Sequence, residues 1–142
     1  YNASVGGKSL ALDSSATERV QSWQGTLKDF KNHPIFGYGI NGYWFIDGQY
    51  FRTLVELGIV GMSIFIFMLY QIGKFMLEAY RIASDNLSKG LAMGLFAGFL
   101  GLLVHCFGSN TFIVVRIMEP FWFLMGIAVV LYQIDKKESE VL

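Results

Sequence analysis

Hydrophobic positions along the 142 residues follow two regimes, and the change comes near residue 56. Before it, apolar and polar residues are interleaved. After it, the apolar residues run together in three blocks. Residues 57–77 read LGIVGMSIFIFMLYQIGKFML, with Lys74 as the one charge. Residues 90–107 read GLAMGLFAGFLGLLVHCF, without a single Asp, Glu, Lys or Arg, and 117–134 read IMEPFWFLMGIAVVLYQI, with Glu119 as the only charge. A helix needs roughly 17–25 residues to cross a hydrocarbon core, and each block meets that length. In the first half, Ser15-Ala16-Thr17-Glu18 fits a capping box, and Val20, Trp23, Leu27 and Phe30 recur at helical spacing. The pattern predicts an amphipathic helix over about 16–31, stopped by Pro34 and seeking something to bury against. Residues 1–14 have no period and read as loop. His33-Pro34-Ile35-Phe36-Gly37-Tyr38-Gly39 and Asp47-Gly48 read as turns, and a helical pattern resumes from Gln49 to Leu57, leading directly into the first span.

Composition agrees with this division. Hydrophobic residues make up 54% of the chain and 16 more positions are glycine, while charged residues reach only 15%, against about 25% in an ordinary soluble domain. Eleven Lys and Arg cancel eleven Asp and Glu, which excludes a basic nucleic-acid binder, and the single cysteine, Cys106, excludes a disulfide scaffold. The class is an all-α polytopic membrane protein. Basic residues orient it: Lys74 at the end of the first span is followed by Arg81 and Lys89 before the second, and Lys136 and Lys137 follow the third, whereas only Arg116 lies between spans two and three. Basic connections stay in the cytoplasm. Residues 1–56 and the short turn 108–116 are then extracytoplasmic, and the loop 78–89 and the tail 135–142 are cytoplasmic. Tyr1 is no initiator methionine, and three spans with a large outer segment make a poor self-contained fold, so the chain reads as the C-terminal part of a longer protein.

The middle span carries a second pattern. Gly90, Gly94, Gly98, Gly101, His105 and Gly108 fall within an arc of about 80 degrees at about 100 degrees per residue. A face of small residues lets another helix approach closely, which turns His105 toward protein rather than lipid. His105 is open to two readings, an interhelical hydrogen bond or a contact with substrate. No Cys/His cluster has metal-ligand spacing, and neither Gly6-Gly7 nor Gly37-Tyr38-Gly39 has the strand–turn–helix setting of a nucleotide loop, so no metal or cofactor is expected. Asn2-Ala3-Ser4 and Asn86-Leu87-Ser88 match glycosylation sequons, a pattern common by chance.

Three features together resemble the bacterial O-antigen ligase and polysaccharide polymerase superfamily, whose polymerases are of the Wzy type. The first is Arg19 and Trp23 followed by His33-Pro34-Ile35-Phe36-Gly37-Tyr38-Gly39. The second is Asp47-Gly48-Gln49-Tyr50-Phe51 running through Glu56-Leu57-Gly58-Ile59-Val60-Gly61 into a span. The third is the order of a large outer loop, two spans, a short outer turn, a last span and a basic tail. The resemblance covers roughly residues 16–134. Ligases of this group carry a His-Asn-like pair ahead of the Gly-x-x-Gly. Counting back from Gly58 and Gly61 puts that histidine at position 47, which here is Asp47. This departure favours a repeat-unit polymerase over a ligase.

The resemblance implies a larger glycosyltransferase-C-like helical bundle in the bacterial cytoplasmic membrane. Its activity would be metal-independent transfer of glycan from an undecaprenyl-diphosphate (polyprenyl-diphosphate) carrier to a sugar hydroxyl, with a flippase and a chain-length regulator as partners. A diphosphate leaving group asks for guanidinium groups, and the acceptor hydroxyl asks for a base. By the resemblance Arg19 matches the loop arginine and Asp47 the ligase histidine, which makes these two the catalytic candidates. Arg52, His105 and Arg116 are candidate substrate contacts. Each has a plainer account: a solvated first-turn Arg19, an Asp-Gly turn at Asp47, a snorkelling Arg52, and an Arg116 paired with Glu119. A ligase, a transporter fragment and a scaffold without chemistry are the competing readings; a scaffold predicts that Arg19 and Asp47 tolerate substitution.

Overall fold

The computed structural model describes residues 4–5, 8–9 and 14–141, with side chains from 17 to 139. The capping box at Ser15 and the sequon at Asn2 fall outside those side chains. Ser4–Val5 pairs antiparallel with Lys8–Ser9. Beyond this short ribbon the described chain is helical: α1 Ser14–Phe30, α2 Gln49–Ile82, α3 Asn86–His105 and α4 Val115–Val141, with a 3-10 turn at Thr111–Ile113 before α4. Helices α2, α3 and α4 are each long and apolar enough to cross a membrane. The architecture is therefore that of a membrane protein: three spanning helices preceded by a shorter one.

The spanning helices meet along one seam. Leu69, Ile72 and Met76 of α2 pack with Leu95 and Phe99 of α3 and with Met118, Phe121, Met125 and Ala128 of α4. At the end opposite α1, the Ser84 hydroxyl donates to the buried Asp135 carboxylate at 2.6 Å and the Tyr132 hydroxyl to Glu78 at 2.9 Å, fixing α4 to the α2–α3 connection.

That connection is shorter than the sequence suggests. The loop expected over 78–89 contracts to Ala83–Asp85, because residues 74–82 hold neither Gly nor Pro to end α2 earlier and Asp85 restarts the helix at once. Likewise the expected tail from 135 stays helical to Val141, and the turn 108–116 already contains the start of α4. Asp85 caps α3 by accepting from the backbone N–H groups of Leu87 and Ser88 at 3.1 and 3.2 Å. The bonds from Ser88 foremost hold its carboxyl below the usual 3.8. A depressed folded-state value means that the cap contributes fully above the ordinary carboxylate range and is lost as pH falls through the folded value. Hydrogen-exchange protection of the Leu87 and Ser88 amides is expected to drop on acidification in the native chain. In Asp85→Asn, which caps without titrating, it should not.

One backbone feature governs the other end. α2 is two helical pieces joined at Gly58, which takes φ 68° and ψ −167°. The break frees carbonyls below it and N–H groups above it, and Pro34–Gly39 fills both sets. Tyr38 N and Gly39 N donate to the carbonyls of Val55 and Glu56 at 3.0 and 2.8 Å. Ile59 N and Val60 N donate in turn to the carbonyls of Pro34 and Ile35 at 2.9 and 3.3 Å. The segment is a strap laid across the broken helix by main-chain bonds, which give two freed carbonyls and two freed N–H groups their partners. Gly37, at φ 69°, allows the approach: a Cβ there would stand 2.4 Å from the Glu56 carbonyl oxygen.

Two expectations change. In α1, Trp23 and Phe30 of the expected stripe are partly covered, with Thr26 buried between them, while Val20 and Leu27 remain exposed. The glycine face of α3 is open: at Gly90, Gly94, Gly98 and Gly101 an added Cβ would meet nothing within 4 Å among the described residues. α3 reaches α2 and α4 through Leu95 and Phe99 instead.

Candidate functional site

The strap and α1 together bring the Asp47-Gly48 corner under α1. Tyr38 donates to the Asp29 carbonyl at 3.1 Å and Tyr43 to the Asp29 carboxylate, fastening the aromatic crossing to the end of α1. Burial first, and then this acidic partner, push the Tyr43 hydroxyl above its ordinary value. Trp23 stacks on Phe51 of α2, centroids 4.7 Å apart and planes 11° off parallel, and its indole N–H donates to the Asp47 carbonyl at 2.8 Å. Gly48, at φ 112°, sits where a Cβ would be 2.9 Å from the Phe107 carbonyl oxygen and 3.4 Å from the Trp23 indole nitrogen. The corner is thus wedged between α1 and the α3–α4 turn. Gln49 N donates to the carbonyls of Cys106 and Ser109 at 2.8 and 3.2 Å, and the Asn110 side chain donates to the Ile46 carbonyl at 2.8 Å.

Trp23→Ala removes the stack and the indole bond together. The expected cost is about 2–3 kcal/mol, below the 3–5 of a fully enclosed aromatic because this ring is only half-buried. A lower midpoint of thermal unfolding and faster proteolysis within α1 are the measurements.

These contacts create a polar cavity of about 510 Å³ lined by Arg19, Asp47, Val104, His105, Gly108 and Ser109. A second, of about 290 Å³, is lined by Arg19 and Asp47 again, with Glu18, Ser22 and Phe45. Three residues separated by 28 and 58 positions in sequence, Arg19, Asp47 and His105, therefore share one space. The Arg19 Nη1 lies 3.9 Å from where a Cβ on Gly108 would stand, so the guanidinium reaches over to the α3–α4 turn. Among the described residues the one ion pair is Arg52–Glu56, which leaves Arg19 and Asp47 without a charged partner. His105 Nδ1 is 2.8 Å from the Thr111 hydroxyl.

The other two candidates stand elsewhere. Arg52 Nε bonds Glu56 at 3.1 Å and its Nη2 bonds the Asn41 side chain at 3.1 Å, a structural tie between α2 and the crossing. It does not line the cavity. Arg116 is exposed in the first turn of α4, also away from the cavity, and forms no ion pair with Glu119. Glu18, Ser109 and Thr111 were not legible as site residues. Their sequence context carries no signal, and they join the site only through the α1 docking and the turn after α3.

Among the described residues no three His, Cys, Asp or Glu side chains stand close enough to hold a metal. The aromatic crossing divides into two sets. Tyr38 and Tyr43 are tied to α1, while Phe36, Trp44 and Phe45 are 75–85% exposed. No protein-family profile, no curated protein and no solved structure matches this chain. Fold and site together define a membrane protein of three spanning helices with a polar cavity at the end that carries α1.

Proposed function

We propose that this chain belongs to a glycosyltransferase of a bacterial cytoplasmic membrane that polymerises polyprenyl-diphosphate-linked repeat units into surface polysaccharide. The observation that carries the reading is the shared cavity of Arg19, Asp47 and His105. A guanidinium without an ion pair among the described residues suits a diphosphate ester, whose oxygens it can grip through two parallel N–H bonds. A carboxylate beside it suits an acceptor hydroxyl. In the transfer, Asp47 takes the hydroxyl proton, the acceptor oxygen bonds the anomeric carbon, and the carbon–oxygen bond to the carrier breaks. Both electrons of that bond leave with the polyprenyl diphosphate, whose charge Arg19 offsets. The basic residues of the α2–α3 connection and the tail support an outer position for this cavity. Asp47, rather than histidine, at that position favours polymerisation over ligation. Exposed Phe36, Trp44 and Phe45 suit both the lipid–water boundary and the faces of sugars.

The test is Arg19→Ala in cells carrying the full-length protein, with the length distribution of surface polysaccharide as readout. Long chains should disappear while lipid-linked repeat units accumulate. Unchanged long-chain polymer would overturn the assignment.

A further inference from the structure

Thr111 is fully buried, at 0% exposure, and its hydroxyl oxygen lies 2.8 Å from His105 Nδ1. A hydroxyl carries one proton, and a buried proton needs an acceptor. Among the described residues the only other hydrogen-bond partner of this hydroxyl is the Cys106 thiol, itself fully buried, whose sulfur is a weak acceptor beside an unprotonated imidazole nitrogen. If Nδ1 bore the hydrogen, it would donate to Oγ1, and the Thr111 proton would face sulfur alone. That arrangement leaves a buried donor poorly satisfied. The reverse arrangement gives the buried proton its better acceptor: Thr111 donates to Nδ1. In the neutral ring the hydrogen then resides on Nε2. His105 as a residue is exposed and lines the cavity, while its Nδ1 edge faces a buried hydroxyl, so the Nε2 edge is the one open to the cavity.

We infer that Thr111 is a positioning residue that holds neutral His105 as an Nε2–H donor, and that His105 and the Arg19 guanidinium together receive a phosphate-type anionic oxygen. The ring nitrogen that could have accepted a proton is occupied by Thr111, so the acceptor in this cavity is the Asp47 carboxylate. The division of labour is thus donors on α1 and α3 and an acceptor on the corner between them. The identity of the oxygen as part of a lipid diphosphate rests on the function proposed above; a free diphosphate offers the same chemistry.

The experiment uses the full chain in lipid nanodiscs, labelled with nitrogen-15 histidine. His33→Gln leaves one imidazole, because the sequence holds only two histidines. Nδ1 should resonate as an unprotonated, pyridine-type nitrogen and Nε2 as a protonated, pyrrole-type one. Thr111→Val should lose that clean separation and show averaged tautomers, and Thr111→Ser, which keeps the hydroxyl, should restore it. Inorganic pyrophosphate and farnesyl diphosphate are then added in turn. Movement of the Nε2 resonance with either supports the donor role, and the arm that responds at lower concentration tells whether the lipid-borne or the free anion is preferred. Arg19→Ala should weaken that response at least about tenfold, the minimum expected when charge-assisted hydrogen bonds to the anion are lost.

A protonated Nδ1 in the native chain would overturn the tautomer. An unchanged spectrum in Thr111→Val would overturn the part given to Thr111, and an unmoved Nε2 with both anions would overturn the ligand. A normal polymer in Arg19→Ala cells, alongside a diphosphate response that is present in the native chain and weakened in Arg19→Ala, would remove the polymerase reading and leave this one standing; an undiminished response in Arg19→Ala would overturn the part given to Arg19.

Discussion

Gly58→Ala is expected to unfold the α1 end of the molecule. The residue holds φ 68° with ψ −167°, a region that essentially only glycine enters, and forcing a side chain there costs about 1–3 kcal/mol. A clash adds to this. The new Cβ would stand 2.2 Å from the Ile35 carbonyl oxygen and 2.7 Å from Gly37 N, both main-chain atoms that cannot rotate away. Relief requires either the strap to lift or α2 to straighten, and each abandons the four bonds that link Pro34–Gly39 to residues 55–60. The total should exceed about 3 kcal/mol, a large share of the stability of a typical domain. Protease cleavage within 34–39 and a lower unfolding midpoint in detergent are the measurements. Gly98→Ala is the control, because its added methyl meets nothing within 4 Å among the described residues and replaces a flexible residue inside a helix. Equal midpoints for Gly58→Ala and the native chain would refute the account of the strap.

Arg19→Ala is expected to lower polymer formation by about a hundredfold or more, the loss typical when one donor to a developing anion is removed. Arg19→Lys separates charge from shape. Lysine keeps the positive charge but presents a point ammonium in place of a planar fork, and from the first turns of α1 it cannot reproduce two parallel bonds to one phosphate. A loss of at least about tenfold is expected for it, again by chain-length analysis of the product. Arg19 has no ion pair to break among the described residues, so neither change should move the unfolding midpoint. A destabilised Arg19→Lys protein would show that the side chain supports the fold instead.

The class of fold was legible in the sequence because it depends on local quantities. Three long apolar runs and one helical stripe require no knowledge of distant contacts. What was hidden depends on partners far along the chain. Glu56-Leu57-Gly58-Ile59-Val60 reads as uninterrupted helix, and only the strap's backbone, some twenty residues earlier, makes a break there cheaper than continuity. The α1 stripe overstated Val20 and Leu27 because periodicity identifies an apolar face without measuring how wide its cover is. Of the candidate residues, Arg19, Asp47 and His105 converge, whereas Arg52 is engaged by Glu56 and Asn41 and Arg116 stands apart. The resemblance, the glycine face of the middle span and the charges near the bilayer named all five without saying which would meet. Thr111 had no signal at all, since a threonine after a helix is ordinary until its hydroxyl is found against an imidazole.

The strap joins α2 through N–H and C=O groups, and no side chain of Ile35, Phe36 or Ile40 takes part. All three are exposed. These positions can therefore change identity without disturbing the closure of the helix beneath them. The fold keeps its architecture in a main-chain frame and leaves a few neighbouring side chains free to drift. Variants of this protein could acquire new preferences for the molecules they meet at this end by exchanging those residues, with little loss of stability. The junction is rigid in its backbone and evolvable on its surface.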